Sequence, residues 1–172
     1  RIGDLMKLLT AVRVLIESRD AAAALEGLQD ILHNVIGSDD FAIYTLDSRD
    51  GTLTPIAGAG DLQSSSRAPH AHGWIGALVR SGTLMIDGGP GATHAVSRTP
   101  KVAAVVPLKV LDRVVGAIVI ARLLPHREAL NACDREVLAL LGAYAATAII
   151  AAERRSRWRG LPRGLGSSRS RP

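Results

Sequence analysis

The chain has 172 residues, of which 47% are hydrophobic, so it is long and apolar enough to form one domain with a sizeable core. Only 3% of the residues are aromatic, so that core must be built mainly from Ala, Val, Leu and Ile. The single cysteine, Cys133, excludes an intramolecular disulfide and fits a reducing, cytoplasmic location.

The net charge of +5 comes from the C-terminal end. Residues 153–172 carry seven arginines and one glutamate, whereas the other residues carry fourteen basic and fifteen acidic side chains. Any binding to nucleic acid would therefore rest on this end alone. We predict that residues 156–172 form a basic, disordered tail. The alternative is a tail whose arginines contact the phosphates of a nucleic acid.

The first seventeen residues carry apolar side chains at alternating spacings of three and four. Such a stripe is typical of a helix that packs on another helix, in this chain or in a partner. We therefore assign residues 1–17 to an N-terminal helix that dimerises. The stripe consists of Ile2, Leu5, Leu9, Val12 and Ile16.

A second helix is predicted over residues 21–36. Ser18 or Asp20 can cap its start, and Gly37 can end it. Two strands follow, joined by a turn with an Asp-Gly signal, and Pro55 in the second of them indicates an edge strand or a bulge.

The middle of the chain alternates short elements with two long loops. The order we predict is strands over 41–46 and 52–59, a loop over 60–72, a short helix over 73–81, a strand over 83–86 and a second loop over 87–100.

Residues 102–124 form the most strongly patterned stretch of the chain. Two β-branched runs flank a three-residue turn, Leu111 to Arg113, which predicts an antiparallel hairpin. Both faces of each run are apolar, so we expect the hairpin to lie in the middle of a sheet that is covered on both sides.

A long helix is predicted from Asn131 or Asp134 to Arg155. Its uncharged stretch, Val137 to Ala152, is shorter than the about 20 residues that span a membrane. We therefore expect no membrane span, and interpret the stretch as a core or dimer helix. The residues of this helix that we expect at a dimer interface are Leu141, Tyr144 and Ala148.

The order of these elements, with several short motifs, resembles the GAF domain. The motifs are Asp39 to Tyr44 at the first strand, Gly73 to Gly76 at the short helix, and Val106 to Leu108 and Val115 to Ile118 in the hairpin. The resemblance implies an α+β fold over residues 18–155. Its antiparallel sheet would have five to six strands, with the terminal helices on one face and the loops and short helix on the other.

The resemblance also implies a regulatory module of bacterial-type signalling rather than an enzyme. Such a module senses a small molecule or binds a protein partner, and its terminal helices commonly pair in a homodimer. The ligand or cofactor stays unknown. The pocket residues we expect are Trp74, His94, Arg98 and Tyr44.

Two narrower functions within this family fit the sequence poorly. The Asn-Lys, Phe and Asp-Glu signature of its cyclic-nucleotide-binding members is absent. Its enzymatic branch, free methionine sulfoxide reductase, needs cooperating cysteines, and this chain has one. Separately, His70, His72 and His94 could bind a metal or haem, but we interpret them as exposed loop residues and predict no metal site.

Overall fold

The computed structural model describes residues 20–64, 73–86 and 102–159, together with positions 2, 3, 6, 9, 10 and 13. In chain order the described elements are α1 (Ala21–Ile31) with a π-helical turn (Leu32–Ile36), β1 (Ser38–Leu46), β2 (Leu53–Ala59), α2 (Gly60–Ser64), α3 (Trp74–Ser81), β3 (Met85–Ile86), β4 (Ala104–Val110), β5 (Arg113–Leu123) and α4 (Ala132–Arg159). The strands form one antiparallel sheet in the order β2-β1-β5-β4-β3. The predicted α+β class is confirmed, with five strands.

Local signals set the start of α1 and the end of its π-helical turn, as predicted. Asp20 has an extended backbone, and its Oδ1 accepts a hydrogen bond from the amide of Ala23 at 2.9 Å. Gly37 has a left-handed conformation with φ 76°, which ends the π-helical turn.

The β4–β5 hairpin lies in the middle of the sheet, as its apolar pattern predicts. β5 pairs with β1 on one side and β4 on the other, and both of its faces are buried. The predicted three-residue turn is wrong, because Arg113 pairs with Val110 and leaves only Leu111 and Asp112 in the turn. Leu111 is left-handed, with φ 55°, and is 93% exposed.

The sheet separates two apolar cores, since neighbouring strand residues point to opposite faces. Ile43 and Ile118 lie in the larger core, beneath α1 and α4. Tyr44 and Ala117 lie in the smaller core, beneath α3. This two-sided cover confirms the predicted placement of the terminal helices opposite the short helix.

The edge strand β2 contains Pro55 at an irregular position. Pro55 lies opposite Tyr44, where the register of β1 and β2 shifts after Ile43. Because β2 is at the edge of the sheet, there is no second neighbouring strand with which an amide hydrogen at Pro55 would have paired. The proline therefore marks both an edge strand and a bulge.

Several element boundaries differ from the prediction. The predicted loop over 60–72 begins with α2, and β3 has two residues rather than four. β1 begins at Ser38, whose Oγ donates to the carbonyl oxygen of Arg122 at 2.7 Å and extends the pairing with β5. α4 reaches Arg159, four residues into the segment predicted to be disordered.

A buried ion pair fixes the start of α4. Asp134 is fully buried, and its Oδ2 accepts from Arg127 at 2.6 Å and from the amide of Asn131 at 2.9 Å. In return, Asn131 Oδ1 accepts from the amide of Asp134 at 3.0 Å, as in a capping box. The Arg127 side chain also lies against Gly37, so it links the end of the π-helical turn to the start of α4.

Candidate functional site

The sheet face beneath α3 carries a small apolar cluster. Strands β1, β2, β4 and β5 contribute its floor, and α3 covers it with Ile75 and Val79. The floor includes Ala42, Tyr44, Leu53, Val105, Ala117 and Val119. Among these residues, Tyr44 alone carries a polar side-chain group.

Tyr44 is 1% exposed, and its hydroxyl has no hydrogen-bond partner among the described residues. Burial raises the pKa of Tyr44 above its ordinary value of 10.0, and the negative charge of Asp40 raises this pKa further. The phenol therefore stays protonated at neutral pH. It can donate one hydrogen bond to a polar atom on this face and accept another.

Helix α2 closes one edge of this face through Asp40. The Asp40 carboxylate is buried, and its Oδ1 accepts from the amide of Leu62 in α2 at 2.9 Å. Gly60, at the start of α2, is left-handed with φ 74°, and a Cβ there would lie 2.6 Å from the carbonyl oxygen of Asp39. Only glycine fits this position, which brings α2 close to β1.

The four predicted pocket residues fall into two groups. Tyr44 lies on the floor beneath α3, and Trp74 is the first residue of α3 itself. His94 and Arg98 lie outside the described residues, as do His70 and His72. The meeting of all four pocket residues therefore stays a prediction.

The predicted dimer residues of α4 face the inside of this chain. Leu141 is fully buried, Ala148 is 8% exposed, and Tyr144 is half-buried against the same core. Their stripe faces the sheet, so Leu141 and Ala148 drop out of the predicted interface. Leu5, Val12 and Ile16 lie outside the described residues, whereas Leu9 is helical and 55% exposed.

A second stripe on α4 faces outward. Leu140, Ala143 and Thr147 follow one another at spacings of three and four and are all exposed, Leu140 at 45%. Near the start of the chain, Ile2 and Met6 are helical and are 84% and 57% exposed. Apolar side chains on two helices are thus available to a partner surface.

A family model for the GAF domain matches residues 20–150. The chain belongs to the GAF domain family. GAF domains commonly serve signalling or regulatory roles. The matched range covers all five strands and most of α4, so the whole sheet and both of its cores lie within the GAF domain.

Solved structures of other GAF domains share this fold at low sequence identity. The GAF domain of a phosphoenolpyruvate-protein phosphotransferase from Coxiella burnetii is 16% identical, with a TM-score of 0.70 over 91% of this chain and 98% of that one. The corresponding domain from Acinetobacter is 18% identical, with a TM-score of 0.70 over 90% and 97%.

An enzyme is also among the similar structures. The free methionine-R-sulfoxide reductase from Neisseria meningitidis is 19% identical, with a TM-score of 0.59 over 87% of this chain and 89% of that one.

No curated protein matches the chain. Among the described residues, no helix is both long and apolar enough to cross a membrane.

Proposed function

We propose that this GAF domain is a non-enzymatic regulatory module that senses a small ligand on the face beneath α3. The observation that carries this proposal is the buried Tyr44 hydroxyl, which has no partner among the described residues. A buried polar group without a hydrogen bond costs about 1–3 kcal/mol. A ligand that supplies the missing bond would recover that free energy on binding.

The substitution Tyr44→Phe tests the ligand site, because it removes only the hydroxyl. In the free protein we expect Tyr44→Phe to leave the melting temperature unchanged or to raise it, since the unpaired group is removed. In a thermal-shift screen against nucleotide and haem libraries, we expect a compound that stabilises the wild type to lose its effect on the variant.

The same variant also distinguishes a ligand-binding role of the Tyr44 hydroxyl from a purely structural one. A hydroxyl that stabilises the fold would make Tyr44→Phe less stable without any ligand. That result, or a ligand that stabilises both proteins equally, would contradict the proposed role of Tyr44.

The module is proposed to act as a homodimer through its terminal helices. The outward stripe of Leu140, Ala143 and Thr147 and the exposed residues Ile2 and Met6 support this. Apolar side chains at heptad-like spacing lose their contact with water when two helices pair. Small residues such as Ala143 let helices approach closely. A protein partner could use the same helices in place of a second copy.

The substitution Leu140→Glu tests the dimer. Static light scattering of the wild type at micromolar concentration should give twice the chain mass of 18.1 kDa, and the variant should shift toward the monomer. Leu111→Glu is the matched control, because Leu111 is 93% exposed in the turn between β4 and β5 and belongs to neither helix. A wild-type monomer, or equal dissociation of both variants, would contradict the proposal.

The placement of Cys133 bears on the reductase alternative. Cys133 is half-buried at the start of α4 and packs against the core on the α1 and α4 side of the sheet. The face beneath α3 lies on the other side of the sheet, so a thiol at this position is remote from the proposed ligand. The nucleic-acid alternative rests on the arginines of residues 153–172 and stays a prediction from sequence.

A further inference from the structure

A polar cleft lies at one end of the sheet, where the β1–β2 turn meets the start of β5. Its volume is about 360 Å³. The residues that line it are Thr45, Leu46, Asp47, Ser48, Arg49, Thr54 and Arg113. The cleft thus brings together two arginines that are far apart in sequence, along with three residues that carry side-chain hydroxyls.

The carboxylates near the cleft are engaged by the backbone of the turn. Asp47 Oδ1 accepts from the amide of Arg49 at 2.7 Å, and Asp50 Oδ1 accepts from the amide of Thr52 at 2.8 Å. This hydrogen bond to Thr52 lowers the pKa of Asp50, so that carboxylate is held in its charged, turn-forming state. The carboxylates of Asp47 and Asp50 therefore stabilise the turn between β1 and β2.

The guanidinium groups of Arg49 and Arg113 have no carboxylate within ion-pair distance in the described part of the chain. Ion pairs among the described residues join Arg122 to Asp39 and Arg127 to Asp134. Both cleft arginines are exposed to solvent and can turn toward a bound anion. Each guanidinium offers a planar, fork-shaped set of N–H donors that suits phosphate oxygens, and the cleft is lined by two arginines.

We infer that this cleft binds a phosphate monoester that carries a small polar group. The guanidiniums of Arg49 and Arg113 hold the phosphate, and the hydroxyls of Ser48 and Thr54 contact the polar group. The volume lies at the lower end of the range for small-molecule sites, about 300–1,000 Å³. A bare inorganic anion would leave most of this space to water.

The cleft is separate from the face beneath α3. Leu46 is the one lining residue that also packs against the cluster containing Tyr44. Phosphate-ester binding should therefore be unchanged in the Tyr44→Phe variant. Failure of this inference and failure of the proposed ligand site can thus be told apart.

The test is a titration of the full chain with glycerol 3-phosphate, followed by amide chemical shifts in NMR. In the wild type we expect shifts at Ser48 and Thr54 that saturate. Arg49→Gln and Arg113→Gln should each weaken the affinity about ten-fold, because each removes charge-assisted hydrogen bonds. Arg135→Gln, which removes the same charge from an exposed position on α4, should leave the affinity unchanged.

Three results would overturn the inference. One is the absence of saturable shifts at Ser48 and Thr54 in the wild type. The second is an equal loss of affinity in Arg135→Gln, which would indicate attraction by overall charge. The third is equally tight binding of inorganic phosphate, which would contradict the assignment of a monoester. Because Arg49 and Arg113 are exposed, we expect their variants to unfold at the wild-type temperature. That measurement is the control that each variant keeps its fold.

Discussion

Among the polar contacts of the described residues, we expect the ion pair of Arg127 and Asp134 to matter most for the free energy of unfolding. Asp134 is fully buried, and the Arg127 side chain is 17% exposed. The substitution Asp134→Ala removes the acceptor for both Arg127 and the amide of Asn131. The guanidinium would then be left largely buried without a counter-charge.

The burial of both side chains determines how much free energy of unfolding Asp134→Ala should remove. Removing one partner of a buried ion pair costs about 3–5 kcal/mol. Because Arg127 keeps some contact with water, we expect Asp134→Ala to lower the free energy of unfolding by about 3 kcal/mol, the lower end of that range. For a chain of this size that corresponds to a fall of about 6–12 °C in the melting temperature.

A double-mutant cycle separates the ion pair from the helix cap. Arg127→Met keeps an apolar stem where the guanidinium was, and Arg127 Nε has no hydrogen-bond partner among the described residues to lose. The double variant Arg127→Met with Asp134→Ala should therefore lose only the capping bond, about 1 kcal/mol. Urea denaturation monitored by circular dichroism measures each variant.

The exposed ion pair of Arg122 and Asp39 supplies the control. Its N–O distance is 3.2 Å, and its side chains are 59% and 38% exposed. Asp39→Ala should change the free energy of unfolding by less than about 1 kcal/mol, as is usual for surface pairs. A loss of stability in Asp134→Ala no larger than that in Asp39→Ala would contradict the prediction, as would a double variant whose loss equals the sum of the two single losses.

Three further predictions concern the backbone and one turn. Leu111→Asn should raise the free energy of unfolding by about 0.5–1 kcal/mol in urea denaturation. Asparagine tolerates the left-handed conformation, and the exposed Leu111 side chain gives up no buried surface. A loss of stability would contradict this prediction. Gly116→Ala should lower the same quantity by more than about 2 kcal/mol, since a Cβ would collide with the carbonyl oxygen of Tyr44. Its control is Gly3→Ala, which meets nothing within 4 Å. The carboxyl of Asp50 should titrate below its ordinary pKa of 3.8 in an NMR pH titration, because a backbone amide donates to its charged form. The stability from this bond is therefore present above that value and is lost as the pH falls through the lowered pKa; titration at or above 3.8 would contradict it.

The fold could be predicted from the sequence because its main elements have strong local patterns. The apolar runs of the β4–β5 hairpin indicate a strand pair buried on both faces, and Asp20 and Gly37 mark the two ends of a helix. α2 was missed, since five residues are too few to show a helical period. It depends on the carboxylate of Asp40, more than twenty positions away in sequence.

The candidate sites depend on contacts that sequence patterns do not contain. Leu140 and Leu141 are neighbours on α4, and periodicity alone cannot tell which of their two stripes faces the sheet. The unpaired hydroxyl of Tyr44 follows from the side chains around it rather than from its own position in the sequence. Likewise, Arg49 and Arg113 share a cleft only because β1 and β5 pair.

Native mass spectrometry of the full chain, gently purified at micromolar concentration, tests the proposed function most directly. We predict a dimer of the 18.1 kDa chain that carries additional, dissociable mass, and we expect this mass to be lost in the Tyr44→Phe variant. A monomer without added mass would contradict both the proposed dimer and the proposed ligand. A dimer whose added mass persists in Tyr44→Phe would contradict the ligand site beneath α3.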